Sequence, residues 1–371
     1  MPDGYSLSAS MTGDENFQFY MIIVLTLIIL GMYIYYLVYL TGLVSSEKSL
    51  MNDLYSSVDG YIKPISENDP DCSGNLFDYY VKTAYNACSG GSYKNDFVDI
   101  SILQTVLKQG VRCLDFEIYS VDNRPVVATS TNDSYFIKET FNSVDFSSVM
   151  DTIQNYAFSG GTAPNPTDPI IIHLRIKSNN QEMYTNLAGV FKSYETIMLG
   201  KDYSYENSGY NLGNVPLLKF KQKVILIVDR INNSFLQNKE FLEFVNLTSN
   251  SLFMRASSNY DIVNNPDTQE LTEFNKTGMT IVFPDTGIDP ANPSGMLARA
   301  YGCNFVAMRY QLVDNFLMEN TQFFDRCGYA FCLKPIELRY QPVIVPDPIP
   351  QNPAYSYATR TTTTDYYSFN S

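Results

Sequence analysis

Two carboxylates lie two residues apart in the stretch Val111–Tyr119, which alternates in the manner of a β-strand. The apolar residues at even positions fall on one side, so Asp115 and Glu117 share the other side. Paired carboxylates on one face of a strand can bind a divalent cation. A strand with one hydrated face is the alternative, which this stretch by itself leaves open.

The segment before this strand has helical spacing. Ile100, Leu103 and Val106 share one face, and Gly110 follows where a left-handed helix cap is expected. A helix, a short turn and a strand are the repeating parts of a barrel of parallel strands. In such a barrel Asp115 and Glu117 would point inward near the carboxyl end of the strand, where these barrels carry their active sites.

The rest of the chain repeats this alternation, with helical patterns at Val144–Tyr156 and Met183–Tyr194. The pattern predicts an α/β fold with a parallel sheet, a (β/α)₈ TIM-type barrel. Nine segments read as strands, one more than eight, so one is misread or belongs to a loop: Tyr80–Asn86, Val111–Tyr119, Pro125–Thr129, Ile170–Ile176, Val224–Asp229, Leu252–Arg255, Thr280–Phe283, Phe305–Tyr310 and Tyr329–Leu333.

No charged residue lies between Asn16 and Ser46, and Phe17–Val44 is long enough to cross a bilayer, which takes about 20 apolar residues. We interpret this stretch as one transmembrane helix. A cleaved signal peptide is disfavoured by the acidic leader and by the length of the apolar run. A core helix of a soluble domain is the remaining alternative.

The predicted organisation has five parts. They are a short acidic N-terminus (residues 1–16), the transmembrane helix (17–44), a juxtamembrane connector (45–75), the barrel (76–340) and an extended tail rich in Pro, Thr and Tyr (341–371). Lys48 and Lys63 follow the apolar stretch and no basic residue precedes it, which favours the cytoplasmic side for the barrel. Four Asn-x-Ser/Thr sequons argue for a secretory lumen instead.

Composition narrows the possible functions. A formal net charge of −14 disfavours binding to nucleic acid. His173 is the single histidine, which excludes any mechanism that needs two. The predicted partners are a membrane, through the single-pass helix, and a protein that the sequence does not identify.

Two separated stretches carry a family resemblance. Lys108–Glu117 (KQGVRCLDFE) resembles the X box of eukaryotic phosphoinositide-specific phospholipase C. Tyr301–Gln311 (YGCNFVAMRYQ), followed by Cys327-Gly328-Tyr329 and Leu333-Lys334-Pro335, resembles the closing Y box in order and spacing. The resemblance implies a barrel that cleaves a phosphodiester with two histidines and a calcium ion.

The positions that the resemblance assigns to this site depart from the family pattern. Tyr85 and Thr129 replace the two catalytic histidines, and Arg175 stands where a calcium-binding glutamate belongs. Asn86, Asp115 and Glu117 remain as a weaker alternative set of metal ligands. Losing one acid–base group typically costs about 10²–10⁴ in rate, and here both are absent.

We therefore expect a catalytically inactive barrel without a cofactor, which serves as a structural or interaction module. An active hydrolase that uses calcium in a rearranged site is one alternative, and a module that binds lipid headgroups without cleaving them is another. The composition would also suit a component of a large DNA virus particle. A buried, hydrogen-bonded core residue is the favoured interpretation of His173.

Two further expectations concern side-chain pairing. Arg175 should form ion pairs with Asp115, Glu117 or both, in place of calcium, because a guanidinium relieves the repulsion between two carboxylates. Four cysteines, Cys113, Cys303, Cys327 and Cys332, are expected as free thiols. Cys72 and Cys88 would form a disulfide only in an oxidising compartment.

Overall fold

The computed structural model describes residues 8–132, 134, 136–208, 210–342, 346–352 and 355–370, so the first seven residues of the predicted acidic N-terminus lie outside it. Its strands, in chain order, are β1 (Tyr79–Ala84), β2 (Cys113–Val121), β3 (Arg124–Ala128), β4 (Val144–Asp145), β5 (Ile170–Ile176), β6 (Val224–Asp229), β7 (Leu247–Ser249), β8 (Met254–Ser258), β9 (Met279–Phe283), β10 (Phe305–Met308), β11 (Phe331–Leu333), β12 (Thr361–Thr363) and β13 (Ser368–Asn370).

Eight parallel strands form a nearly closed barrel in the order β7-β6-β5-β2-β1-β10-β9-β8. Inward-facing residues such as Ile171, Ile225 and Phe305 fill its interior. Outward-facing residues such as Leu114 and Ile172 pack against the surrounding helices. The predicted α/β barrel with an N-terminal apolar helix is confirmed.

Two of the nine expected strands lie outside the barrel order. The segment expected at Pro125–Thr129 is β3, an antiparallel partner of β2, and that expected at Tyr329–Leu333 is β11, an antiparallel partner of β1. The barrel strand that sequence reading missed is β7, which has three residues and a single large apolar one, Leu247. So short a segment carries no alternation that could mark it as a strand.

The α-helices, in chain order, are α1 (Ser8–Leu54), α2 (Ile100–Lys108), α3 (Phe146–Thr152), α4 (Gln181–Ser193), α5 (Tyr205–Ser208), α6 (Lys239–Leu242), α7 (Asn259–Val263), α8 (Thr268–Thr277), α9 (Gly295–Ala300) and α10 (Asn315–Cys327). The helix before β2 begins at Asp99, whose side chain accepts a hydrogen bond from the backbone N–H of Ser101. Gly110 follows that helix with φ 72°, so the chain turns there at little steric cost.

Helix α1 is one continuous helix that extends ten residues past Val44. Residues 16–39 are exposed along every face, and the helix is long and apolar enough to cross a membrane. Its last turns contact the barrel, where Met51 is buried in the core. The connector that follows is also attached, since Ile62 and Ile65 are buried and the Ile65 N–H donates to Asp168 at 2.8 Å.

The cysteine expectations need one correction. Cys327 and Cys332, expected as free thiols, form a disulfide. Cys327 ends α10 and Cys332 lies in β11, and the short turn between these elements returns the chain so that their Cα atoms lie 6.0 Å apart. Cys72, Cys88, Cys113 and Cys303 are free and buried.

Residues 341–371 form a second compact unit. Within it, β12 and β13 pair antiparallel, with Thr362 opposite Phe369. The described side chains of this unit are exposed.

Candidate functional site

The site is built on two neighbouring parallel strands in matched register. Asp115 lies opposite His173 and Glu117 lies opposite Arg175 across the β2–β5 ladder. Because side chains alternate along a strand, all four point into the barrel near the carboxyl ends of their strands. This end, which we call the mouth, is where barrels of this kind carry their chemistry.

Arg175 lies between the two carboxylates. Its Nη2 donates to Asp115 Oδ2 at 2.7 Å and its Nε to Asp115 Oδ1 at 3.1 Å, so this pair is bidentate. Its Nη1 donates to Glu117 Oε1 at 2.9 Å. The ion pairs that the sequence predicts for Arg175 are present with both carboxylates. All three side chains are buried, so solvent does not screen the pairs.

The remaining acceptor positions of both carboxylates are also occupied. Glu117 Oε2 accepts hydrogen bonds from Tyr119 Oη at 2.6 Å and from the Ser130 N–H at 3.0 Å. Asn86 donates its Nδ2 to Glu117 Oε1 at 3.3 Å and accepts from Arg175 Nη2 at 3.0 Å. The backbone of Asn86 has φ 44°, a left-handed conformation that asparagine tolerates better than most residues. The network therefore satisfies its charges with side chains of the chain itself.

His173 joins the same network on the deeper side. Its Nδ1 pairs with Asp115 Oδ1 at 2.8 Å and its Nε2 with Ser249 Oγ at 2.9 Å. Ser249 in turn donates to Asp229 Oδ1 at 3.3 Å. His173 is thus a buried histidine with both ring nitrogens hydrogen-bonded. The alternation of His173 with Arg175 is sufficient to place it on the inward face, whereas Ser249 lies on β7, which has no strand pattern in the sequence.

Aromatic rings close the site on the mouth side. The guanidinium carbon of Arg175 lies 4.5 Å from the centre of the Tyr85 ring and 5.2 Å from that of Phe283. Tyr85 also packs edge-to-face against Tyr93, with ring centres 5.4 Å apart. Cation–π contacts of this kind favour a desolvated guanidinium. Thr129 lies between Ala128, which is opposite Glu117 on β3, and Ser130, and its hydroxyl donates to the Tyr93 carbonyl at 3.1 Å.

These residues do not fit a calcium ion. A calcium site needs six to eight oxygen ligands around open space, and here Arg175 fills the space between Asp115, Glu117 and Asn86. Among the described residues, no group of three or more His, Cys, Asp or Glu side chains has the arrangement of a metal site.

Between the residues that the structure describes, the mouth leaves little room for a ligand. The cleft lined by Tyr85, Tyr93, Ser130 and Asp285 has no space for a water molecule. A neighbouring cavity of about 170 Å³ lies over Arg175 and is lined by Phe136, Lys177, Asp229 and Ile231 among others. Small-molecule sites usually measure about 300–1,000 Å³, so this cavity is small for a phosphoinositide headgroup.

The ion pair makes the fold sensitive to acid. Burial would raise the pKa of Asp115, but the charge of Arg175 and the hydrogen bonds from His173 and Arg175 outweigh it and lower that pKa to about 2. A carboxyl whose pKa is lower in the folded state stabilises the fold above its unfolded pKa. That stability is lost as the pH falls through the folded pKa.

We therefore expect the ionised Asp115 to add about 2 kcal/mol to the free energy of unfolding near neutral pH. This contribution should disappear as the pH falls from about 4 to about 2. The measurement is urea unfolding of the unmodified chain and of Asp115→Asn over this range, with exposed Asp145→Asn as the control. The difference between Asp115→Asn and the unmodified chain should shrink as the pH falls. A constant difference would show that the charge of Asp115 does not stabilise the fold.

Comparisons with known proteins give a family match for part of the chain and similar folds for the barrel. Residues 73–230 match the family "Phosphatidylinositol-specific phospholipase C, X domain". Among solved structures, the chain is similar to PLC21 of S. officinalis, with a TM-score of 0.59 and 17% sequence identity over 79% of this chain and 44% of that one. It is also similar to PLC21 of L. pealei, with a TM-score of 0.58 and 17% identity over 72% of this chain and 38% of that one.

The chain therefore spans less than half the length of these two phospholipases. No curated protein sequence matches it. The X-domain match begins just before β1 and ends just after β6, and so includes Asp115, Glu117 and Arg175. The chain is thus similar to the phosphatidylinositol-specific phospholipase C X domain over residues 73–230, and its barrel has the same fold as the two phospholipases.

Proposed function

We propose that this chain is a membrane-anchored, catalytically inactive phospholipase C-like barrel that serves as a structural or docking module of a cellular or viral membrane. The observation that carries the proposal is the position of Arg175. Its guanidinium fills the space between Asp115 and Glu117 and donates to both. A calcium ion could enter only if this buried network opened, which would leave a guanidinium and two carboxylates in need of new partners.

The acid–base groups support the same proposal. Tyr85 and Thr129 stand where the resemblance implies histidines, and neither side chain carries the imidazole that exchanges protons most readily near neutral pH. His173 is buried with both ring nitrogens engaged. A group that transfers protons must reach the substrate, and His173 lies beneath Asp115 and Arg175 rather than at the mouth.

Headgroup binding without cleavage is the weaker alternative. Arg175 and Lys177 line the cavity of about 170 Å³, which suits an anion, but the carboxylate of Asp229 lines the same cavity. Arg175 is already engaged by two carboxylates, so its charge is largely compensated. The balance of charge does not favour a phosphorylated ligand.

Anchoring is supported by α1, whose residues 16–39 are exposed and apolar. The observations that bear on which side of the membrane the barrel occupies oppose one another. Lys48 and Lys63 favour a cytoplasmic barrel, whereas the disulfide Cys327–Cys332 is typical of an oxidising compartment. Protease protection of the barrel in sealed membranes distinguishes the two orientations.

The test of inactivity is a lipase assay on the full chain in phosphatidylcholine nanodiscs that contain phosphatidylinositol and its phosphates. With either calcium or a chelator, we expect no more soluble inositol phosphate than from nanodiscs alone, while an active phospholipase C releases it. Asp115→Asn serves as the matched control for contaminating activity. Calcium-dependent turnover that Asp115→Asn abolishes would overturn the proposal.

A further inference from the structure

The outer face of β7 has no helix of its own to cover it. The connection from β7 to β8 is residues 250–253, whereas a parallel crossover usually takes a dozen or more residues and includes a helix. The segment around α5 lies over part of this face. The Tyr205 N–H donates to the Val245 carbonyl at 2.6 Å, and Asn246 Nδ2 donates to the Tyr203 carbonyl at 3.1 Å. A cavity remains between this segment and β7.

This cavity, which we call the wall cavity, lies on the outside of the barrel. The described residues that line it include Tyr205, Arg230, Thr248, Leu252 and Phe253. Thr248 faces outward, because its neighbours Leu247 and Ser249 face the interior, where Ser249 meets His173. The volume is about 300 Å³, which reaches the range of small-molecule sites, about 300–1,000 Å³. The wall cavity is therefore a second site, separate from the mouth.

Arg230 gives the wall cavity a positive charge. Its Nε makes only a long hydrogen bond to Asn233 Oδ1, at 3.5 Å, and it forms no ion pair with any residue that the structure describes. The described lining residues include no carboxylate, although the chain has 39 acidic and 25 basic residues. Asp229, the neighbour of Arg230, accepts hydrogen bonds from Ser249 and Asn250 instead. An anion that enters the cavity would thus meet an uncompensated guanidinium.

Thr248 adds a hydrogen-bond donor to the same cavity. Its side chain is fully buried, and its hydroxyl has no hydrogen-bond partner among the described residues. Buried polar groups in folded proteins are nearly always hydrogen-bonded, because leaving one without a partner is unfavourable. A ligand oxygen in the wall cavity would supply the missing acceptor.

The remaining lining is apolar and aromatic. Leu252 is 80% exposed, and the rings of Phe253 and Tyr205 are half-buried. A single exposed leucine is ordinary on a protein surface. Here it borders a cavity that also holds a charge and a hydroxyl. The combination of an apolar wall and a few polar groups is typical of sites for small organic ligands.

We propose that the wall cavity binds a small organic monocarboxylate whose body is one aromatic ring or a short aliphatic chain. The guanidinium of Arg230 binds the carboxylate, the Thr248 hydroxyl donates to it, and the apolar body packs against Leu252 and Phe253. One cation matches one negative charge, whereas a phosphate monoester carries about −1.5 to −2 near neutral pH and would be undercompensated. The site is independent of the inactivity and the anchoring proposed above.

The probe is para-fluorophenylacetate, whose fluorine NMR signal broadens when it binds a large particle. It is titrated with the full chain in phosphatidylcholine nanodiscs, and empty nanodiscs give the broadening caused by lipid alone. Two matched compounds test the chemistry of the ligand. Para-fluorophenylacetamide has the same shape without the charge, and para-fluorobenzyl phosphate carries a second source of negative charge. We expect the carboxylate to bind more tightly than either.

Two variants test the residues that carry the inference. Arg230→Gln should weaken binding of para-fluorophenylacetate about 10- to 100-fold, as expected for the loss of hydrogen bonds from a charged group. Thr248→Val keeps the shape of the side chain and should weaken binding about 3- to 10-fold. Its unfolding midpoint should stay the same or rise, because the hydroxyl has no partner within the fold. A purely structural Thr248 would show the opposite pattern.

Two control variants should bind the probe like the unmodified chain. Arg124→Gln removes a surface arginine that pairs with Asp145. Phe136→Glu adds a negative charge to the cavity over Arg175 at the mouth, where Phe136 is a lining residue. If Phe136→Glu loses binding and Arg230→Gln does not, the anion binds at the mouth and the inference is overturned. Equal binding of the amide, tighter binding of the phosphate or no binding of the carboxylate would also overturn it.

Discussion

Arg175→Met should lower the free energy of unfolding by about 3–5 kcal/mol, because removing one partner of a buried ion pair leaves the other uncompensated. Here two carboxylates, Asp115 and Glu117, would be left within the barrel without a cation. Methionine is apolar and fills part of the same volume, so the loss would come from charge more than from an empty cavity. The measurement is reversible denaturant unfolding of the full chain in detergent, monitored by circular dichroism.

Arg124→Met is the matched control, since Arg124 pairs with Asp145 on the surface and both side chains are about half exposed. An exposed pair is screened by solvent, so this change should have little effect. A triple variant that combines Arg175→Met with Asp115→Asn and Glu117→Gln removes the uncompensated charges and should recover part of the loss. Equal, small effects for Arg175→Met and Arg124→Met would show that the buried pair does not stabilise the barrel.

Arg175→Glu should create a calcium response that the unmodified chain lacks. Without calcium this variant should be at least as unstable as Arg175→Met, because three carboxylates would then repel one another in a buried site. Calcium binds to clusters of carboxylate and amide oxygens, and Asn86, Asp115 and Glu117 already converge there. Calcium at 100 times its dissociation constant would raise the free energy of unfolding of this variant by about 2.7 kcal/mol.

The measurement is the unfolding midpoint with calcium, with magnesium and with a chelator. The unmodified chain and Arg175→Met should not respond to calcium, and magnesium should act more weakly because it requires a tighter octahedral site. If the Arg175→Glu variant folds and its unfolding midpoint does not change with calcium, then Arg175 does more than occupy the place of a cation. A calcium response of the unmodified chain would mean that the ion displaces Arg175.

The class of fold and the central ion pair could be predicted from local sequence patterns together with the resemblance to the X box. Alternation within Val111–Tyr119 and within Ile170–Ile176 is a local property, so it is sufficient to place Asp115, Glu117 and Arg175 on inward faces. Parallel neighbouring strands then bring their carboxyl ends to one edge, which makes contact between these residues a direct consequence of the fold. The apolar stretch Phe17–Val44 is equally local, and α1 includes all of it.

The features that the sequence did not predict depend on contacts between distant parts of the chain. The pairing of His173 with Ser249, 76 residues away, needs β7, whose three residues form a strand only because β6 provides a partner edge. The disulfide Cys327–Cys332 needs the chain to turn back after α10, and spacing alone does not distinguish it from a pair of free thiols. Contacts such as that of Lys48 with Asp99 show from which end of the barrel α1 leaves. A hydropathy pattern cannot show this, because it specifies only the length of a membrane span and not the face of the folded domain beside it.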